Sequence, residues 1–249
     1  MSTIVIIPSR LAATRLPNKP LLDMDGLPMV IRVAKQSIAA NVGPVYVAAG
    51  DQEIIDCCAA HGVNACLTPV DLPTGSDRIH ALVKELDPKG EKWDRVINVQ
   101  GDLPLIEPSS IAFVDKVSRA SDCEIATLVA VSKDLSELTN MNVVKAAIEI
   151  DPTTNMGPAL YFSRNPIPSG NGEHYHHIGI YAYKRDALDR FVGLPQAEIE
   201  KRERLEQLRA MANGMRLSAG LVTQIPLGVD TIEDYHAILA HLQQRAGNG

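Results

Sequence analysis

Aromatic residues make up only 4% of this 249-residue chain, with a single tryptophan. That scarcity argues against a platform that stacks the bases of single-stranded nucleic acid. Positive charge is not in excess either: Lys and Arg number 24 against 30 Asp and Glu, a formal net charge of -6. Any bound polyanion must therefore be met by a local cluster, and nucleic acid is not an expected partner. Cysteine is sparse. Cys57, Cys58, Cys66 and Cys123 show no CxxC spacing, so neither a zinc site nor a disulfide framework is indicated. They read as reduced thiols. No apolar run approaches the ~18 residues that a membrane-spanning helix needs. The opening MSTIVIIPSR has no basic leader before its apolar run, so the expectation is a cytoplasmic protein with no membrane partner. Walker A, GxGxxG and GxSxG patterns are all missing. Their absence removes the P-loop, dinucleotide and hydrolase-elbow readings by motif.

What remains is an ordinary globular composition, 45% hydrophobic and 22% charged, long enough to bury a sizeable core. The run TIVIIP is β-branched and ends in proline, which fits a buried parallel strand. PMVIRVAKQSIAA has apolar residues at helical spacing. PVYVAAG, NACLT and DRVINVQGD read as further strands, with DQEIIDCCAAHG, GSDRIHALVKEL and PSSIAFVDKVSRA as helices between and after them. Alternation of this kind argues for a mostly parallel sheet with helices on both faces. The second half changes character. EIATLVAVS, NVVKAAIEID, ALYFS and HHIGIYAYK are strand-rich. A charged helix, AEIEKRERLEQLRAMANG, then a strand around LVTQIPL and a closing helix TIEDYHAILAHLQQR complete the chain. With no Ser/Gly linker, the pattern predicts one α/β domain over 1–249 carrying a strand-rich insertion.

Ligands of open parallel sheets bind beyond the carboxyl ends of the strands. The first strand is followed there by Ser9, Arg10, Arg15 and Lys19, the third by Asp71 to Arg78, the fourth by Gln100 to Pro104, and the late strand by Asp230. Arg forks and a Lys point charge suit a polyphosphate. On spacing alone, a solvated basic loop accounts for the same residues. PTGSDRI can place backbone N–H groups at a helix N-terminus, or be a plain capping turn through Thr74 or Ser76. Asp102 and Asp230 each read singly as helix-start acids. Taken together on one rim with three cations, they read better as oxygen ligands for Mg2+ beside phosphate. In HYHH, His174 and His176 would share one strand face and His177 the other, which disfavours one shared metal ion and leaves substrate contact by one of them.

These motifs, with ALYFSRNPIP, LEQLRA and GVDTIEDY, fall in an order that resembles the CMP-Kdo synthetase family, sugar nucleotidyltransferases that act on 3-deoxy-manno-octulosonate (Kdo). The resemblance covers nearly the whole chain. It implies a Rossmann-like nucleotidyltransferase fold and a homodimer, with residues around 124–215 serving substrate binding and dimerisation. It also implies Mg2+-dependent transfer of a cytidylyl group from CTP to a 3-deoxy-2-ulosonic acid for lipopolysaccharide biosynthesis. Under it, Arg10, Arg15 and Lys19 hold the triphosphate, and Asp102 and Asp230 bind Mg2+. Ser9, Thr74, Gly75, Ser76, Arg78 and Gln100 help to bind the nucleotide. Arg164, His177, Tyr181, Glu206 and Gln207 line the sugar-acid pocket. Arg10, Lys19, Asp102 and Asp230 form the catalytic set.

The chain departs from the family pattern in places. PSR stands where the family usually has PAR. Leu103 replaces the Glu of QGDEP, and Leu72 stands where the cytidine loop usually carries His. SGNGEHY is a short link where the family has a longer excursion. The short link bears on which acid is accepted and on the dimer contacts, and Leu103 removes any polar contact that the Glu made. An amino-Kdo or sialic-type acid is the alternative substrate, and a non-catalytic nucleotide-binding protein on the same fold is the alternative outside enzymes.

Overall fold

The computed structural model describes residues 2–12, 16–132, 134 and 136–247, the last three by backbone only. Arg15 lies outside the described residues. The chain divides into two compact units, residues 1–111 with 226–249, and residues 112–225.

The first unit is built from β1 (Thr3–Ser9), α1 (Met29–Ala39), β2 (Val45–Ala49), α2 (Gln52–Ala60), β3 (Ala65–Leu67), α3 (Gly75–Leu86) and β4 (Arg95–Asn98). Its strands are all parallel, in the order β3-β2-β1-β4. Ile4 to Ile7 are fully buried, as expected of a strand covered on both faces. The chain walks outward from β1 to β3 and then returns to the other side of β1. The carboxyl ends of β1 and β4 therefore flank a topological switch point, where open α/β sheets form their crevice. A short 3-10 turn (Lys19–Leu21) follows β1.

Helix α4 (Pro108–Ala120) contains the boundary between the units. The second unit holds β5 (Ile125–Val131), α5 (Ser136–Thr139), β6 (Lys145–Ile148), β7 (Met156–Ser163), β8 (Tyr175–Lys184), α6 (Arg185–Val192), α7 (Glu198–Glu203), α8 (Gln207–Ala212) and β9 (Leu217–Val222). Here only β5 and β9 are parallel. The β5–β8, β6–β7, β6–β8 and β7–β9 ladders are antiparallel. The expectation of a mostly parallel sheet thus holds for the first unit alone, and the sheet of the whole chain is mixed. Helix α9 (Ile232–Gly247) belongs to the first unit. It packs Ile238, with Val229 before it, onto Leu16, Met24 and Met29.

Two further expectations are corrected. The charged segment predicted as one helix is two, α7 and α8, interrupted at Arg204 in the left-handed region (φ 55, ψ 46). The cause lies outside the segment. Arg164 donates from Nε to the Glu203 carbonyl at 2.9 Å and from Nη2 to the Arg204 carbonyl at 3.4 Å, taking the acceptors that end a helix. The late strand is LSAGLV rather than LVTQIPL. Pro226 has no N–H to give to a ladder.

Glu200 and Arg209 lock α7 to α8 through a buried two-pronged pair, at 3.0 and 2.6 Å. Arg209→Met strands the Glu200 carboxylate and should destabilise the protein by about 3–5 kcal/mol. Replacing both, Glu200→Leu with Arg209→Met, should recover most of that loss. Urea unfolding of the three proteins measures the coupling, and additive losses would contradict it.

Candidate active site

In the first unit, the residues that follow β1 and β4 meet those before α9. Lys19 is the hub. Its Nζ donates to Asp102 Oδ2 at 3.1 Å and to the Val229 carbonyl at 2.8 Å, and stands 3.7 Å from Asp230 Oδ1. The Asp102 carbonyl in turn accepts from Val229 N–H at 2.9 Å. Three segments remote in sequence are closed by one ammonium and one backbone bond. Two carboxylates brought together repel each other, and the cation between them offsets that repulsion. Lys19 is mostly buried, at 17% side-chain exposure, whereas Asp102 and Asp230 keep 35% and 61%. Both acids therefore remain accessible to a ligand.

Neither acid is consumed by a helix cap. At the start of α9, Asp234 accepts from the N–H groups of Asp230 and Thr231 at 3.0 and 2.9 Å, and Thr231 Oγ1 accepts from Asp234 N–H. That reciprocal cap directs the Asp230 side chain toward Lys19. The Asp102 turn is closed by Leu103 N–H donating to the Gln100 carbonyl. A Cβ at Gly101 would stand 3.0 Å from the Pro8 carbonyl oxygen. A larger residue would have to push the turn a few tenths of an ångström away from β1.

Pro8, Ser9, Arg10, Lys19, Gln100, Asp102 and Asp230 line a cleft of about 410 Å3. Of the residues predicted for nucleotide and metal, the structure brings Ser9, Arg10, Lys19, Gln100, Asp102 and Asp230 together. Ser9 is buried, and its Oγ has no partner among the described residues, which costs about 1–3 kcal/mol and is characteristic of functional sites. Arg10 is exposed. Leu11 N–H, just beyond it, donates to Asp51 Oδ2 at 2.7 Å. That contact, which no motif announces, fixes how the loop leaves β1.

Thr74, Gly75, Ser76 and Arg78 do not line this cleft. Thr74 caps α3 in a reciprocal box with Asp77. Gly75 packs on the Pro8 ring, and Ser76 is buried. Arg78 is buried, with Nη1 donating to Thr68 Oγ1 and to the Pro69 carbonyl at 3.1 Å. Burial, and the Arg10 charge nearby, lower its pKa. Its donors hold the loop after β3.

In the second unit, His177 and Tyr181 of the sugar-acid candidates lie about the middle of β8, with Glu206 close enough to act on Tyr181. Opposite the Thr127–Leu128 step of β5, β8 carries two additional residues, Gly179 and Ile180. The polar group filling this bulge is Thr127, buried in an otherwise apolar strand. Its Oγ1 lies 2.8 and 3.2 Å from the carbonyls of Ile180 and Ile178 and 3.0 Å from His177 Nε2. His177 packs edge-on against Phe162 (4.8 Å between centroids) and lies 5.6 Å from Tyr181. Burial, reinforced by His176, pushes the His177 imidazole down to about 3. Burial raises the Tyr181 hydroxyl, with Tyr183 and Glu206 adding to the effect. Both groups are neutral at physiological pH. Glu206, at the start of α8, stands 3.7 Å from Arg209. Gln207 is buried, and its Nε2 has no partner among the described residues. Arg164 is committed to backbone: besides α7, Nη1 donates to the Met141 carbonyl at 2.8 Å. His174 and His176 turn elsewhere, to the Ile167 carbonyl and to Glu137. Thr127 was missed by sequence reasoning. Its signal was a lone hydroxyl inside EIATLVAVS.

Comparison with known proteins shows what the whole chain is similar to. The family model described as Cytidylyltransferase matches residues 4–217. A 3-deoxy-manno-octulosonate cytidylyltransferase from Paramagnetospirillum magneticum is 49% identical over 243 residues, covering 98% of this chain and 98% of its own. A protein of the same name from Rhodospirillum rubrum is 50% identical over 232 residues, covering 93% of this chain and 92% of its own. The solved structure of a CMP:2-keto-3-deoxy-manno-octonic acid synthetase complexed with CTP is similar at a TM-score of 0.89 and 32% identity, covering 98% of this chain and 100% of that one.

His177 makes stability depend on pH in a defined window. Its folded value of about 3 lies below the ordinary 6.5, so the unfolded chain takes up the proton first as pH falls. Stability should be unaffected by this group above about 6.5. Below that it should decline by up to about 1.4 kcal/mol per pH unit, until the folded value is reached. His177→Gln should flatten the melting-temperature profile between about pH 7 and pH 4. An unchanged slope would place the acid sensitivity elsewhere.

Proposed function

The chain belongs to the cytidylyltransferase family, and from that premise we propose that it transfers a cytidylyl group from CTP to Kdo, forming CMP-Kdo and releasing pyrophosphate. The observation that carries the reading is the convergence of Asp102 and Asp230 on Lys19, beside Ser9, Arg10 and Gln100 at the switch point. Relatives named for this reaction along nearly the whole chain support it, as does a structural neighbour complexed with CTP. Among the described residues no helix is long and apolar enough to cross a membrane. A homodimer working in the cytoplasm, as one nucleotidyltransferase domain with the acid bound within residues 124–215, completes the proposal.

The anomeric hydroxyl of the acid attacks the α-phosphorus of CTP. A new P–O bond forms as the bond to the β-phosphate oxygen breaks, and pyrophosphate leaves. Such transfers rest on positioning and on neutralising charge more than on covalent chemistry. Arg10 and Lys19 present cations to the triphosphate, Arg10 as a fork and Lys19 as a point charge. Arg15 adds a third in the same loop. Gln100 and Ser9 offer an amide and a hydroxyl to the nucleotide, and the start of α3, outside the cleft itself, would bear on its recognition through the loop that Arg78 holds. The donor set fits Mg2+: two accessible carboxylates on one cleft leave the remaining positions to phosphate and water, the usual arrangement for this ion. Asp102 and Asp230 would hold it, and it would supply positive charge toward the α-phosphate and the departing pyrophosphate.

The acid is read by Glu206 and Gln207 at the head of α8 and by neutral His177 and Tyr181. Hydrogen bonds to its hydroxyls provide the selection. Arg164 supplies the nearby positive charge that an ulosonate carboxylate requires, while its donors anchor α7.

Pyrophosphate release from CTP and Mg2+ should occur with Kdo and fall sharply with amino-Kdo or sialic-type acids. Release with another acid but not Kdo would overturn the substrate, and no release with any acid would overturn the activity. Asp102→Asn should lower turnover at least about a hundredfold while CTP binding by calorimetry survives in part through Arg10 and Lys19. Undiminished turnover would refute the role given to Asp102.

A further inference from the structure

The buried hydroxyl of Thr127 has one hydrogen and three neighbours. Two of them, the carbonyls of Ile180 and Ile178 at 2.8 and 3.2 Å, can only accept. The third, His177 Nε2 at 3.0 Å, accepts or donates according to tautomer. If the hydroxyl donated to Nε2, its oxygen would face two carbonyl oxygens with no proton between them. Around the fully buried Thr127 hydroxyl, that arrangement leaves acceptors unpaired and lone pairs opposed. The alternative satisfies the cluster. The hydroxyl donates to the Ile180 carbonyl and accepts the Nε2 proton. The imidazole is neutral here, so it carries one proton, and Nδ1 is then the ring atom that accepts.

We propose that Thr127 is a positioning residue for the acid substrate: by holding the β8 bulge and accepting from Nε2, it locks His177 in the Nε2–H tautomer and leaves Nδ1 to accept a hydrogen bond from a hydroxyl of a polyhydroxylated acid. The proposal rests on the reading of His177 as part of the sugar-acid pocket. Three features combine in it. The bulge adds two residues to β8 where its partner strand has none. Thr127 is fully buried, so no water competes for its oxygen. Phe162 packs against the edge of the imidazole and limits its rotation. A threonine suits the position because its methyl group fills apolar space while its β-branch restricts the hydroxyl to few rotamers.

Nitrogen-15 correlation spectra of histidine-labelled, ligand-free protein near neutral pH read the tautomer directly. His177, assigned by its loss in His177→Gln, should show a protonated Nε2 and an unprotonated Nδ1. Thr127→Val, nearly isosteric, should lose that single-tautomer pattern. It should also raise the KM for the acid roughly five- to tenfold, the range expected for one lost hydrogen bond, with the KM for CTP within about twofold of the parent. Thr127→Ser, which keeps the oxygen, should restore both. An Nδ1–H signal in the parent protein overturns the proposal whether or not Thr127→Val folds. So does a Thr127→Val protein that melts earlier yet keeps both KM values. The spectrum needs no substrate, so failure of the assigned reaction and failure of the tautomer lock are separate results.

Discussion

The ammonium of Lys19 is the constraint on which the first unit's site depends. Without it, Asp102 and Asp230 would sit on adjacent turns as mutually repelling carboxylates. With it, the end of β4, the loop after β1 and the approach to α9 become one surface. The pin is polar, but apolar packing holds its ends. Leu16 and Met24, on either side of Lys19 in sequence, and Val229 beside Asp230, share a buried cluster with Ile238 of α9. The cluster supplies the free energy of closure, and the ion contacts give it direction. Both acids are partly exposed and solvent weakens each pair. Their value therefore lies in geometry more than in stability.

The second unit solves a different problem with different chemistry. Two of its cations, Lys145 and Arg164, are spent on backbone. Lys145 is buried and donates to the carbonyls of Asn140, Val143 and Arg164 at 2.7, 3.0 and 2.7 Å, and burial, with Arg164 close by, lowers its pKa. Arg164 passes the linkage on to Met141 and to the end of α7. Glu203 returns it, accepting from Ser163 Oγ and from Arg164 N–H. A continuous chain of such bonds runs from the 140–145 segment through β7 to the place where α7 stops. Glu206 and Gln207 follow immediately. The place where α8 begins thus depends on carbonyl capping at the end of α7, and the buried Glu200–Arg209 pair then holds the two helices together.

This difference explains what was legible in the sequence. The alternation of strand and helix in the first half follows from local periodicity, and the polar residues after each strand follow from topology. Ser9, Arg10, Lys19, Gln100, Asp102 and Asp230 could be named on those grounds. Thr74 and Arg78 lay in the same kind of position, yet capping and loop carbonyls absorb their side chains, which spacing cannot distinguish from ligand contact. The break at Arg204 was illegible because its cause is a guanidinium 40 residues earlier. The mixed sheet of the second half was illegible because strand direction is a pairing property, and the runs EIATLVAVS and HHIGIYAYK look alike in either sense. Thr127 gains meaning only when the β8 bulge places two carbonyls and an imidazole around it.

On the proposed assignment, a site assembled from His177, Tyr181 and Gln207 would read its ligand with groups whose protonation does not change over the physiological range. Burial keeps the imidazole and the phenol neutral, so neither can discriminate by charge. Discrimination must then come from matching hydroxyls, one donor to one acceptor. Such matching is severe in one direction. An acid lacking a hydroxyl that the pocket expects leaves a buried partner unsatisfied, whereas an acid with an extra methylene meets only a packing cost. The same reasoning limits what the departures at Leu72 and Leu103 can do. Both lie in the first unit, and Leu103 packs its Cδ2 within van der Waals distance of the position a Cβ at Gly228 would take. On the proposed assignment they would bear on the nucleotide side of the reaction, and the choice among ulosonic acids would rest with the hydrogen-bonding groups of the second unit.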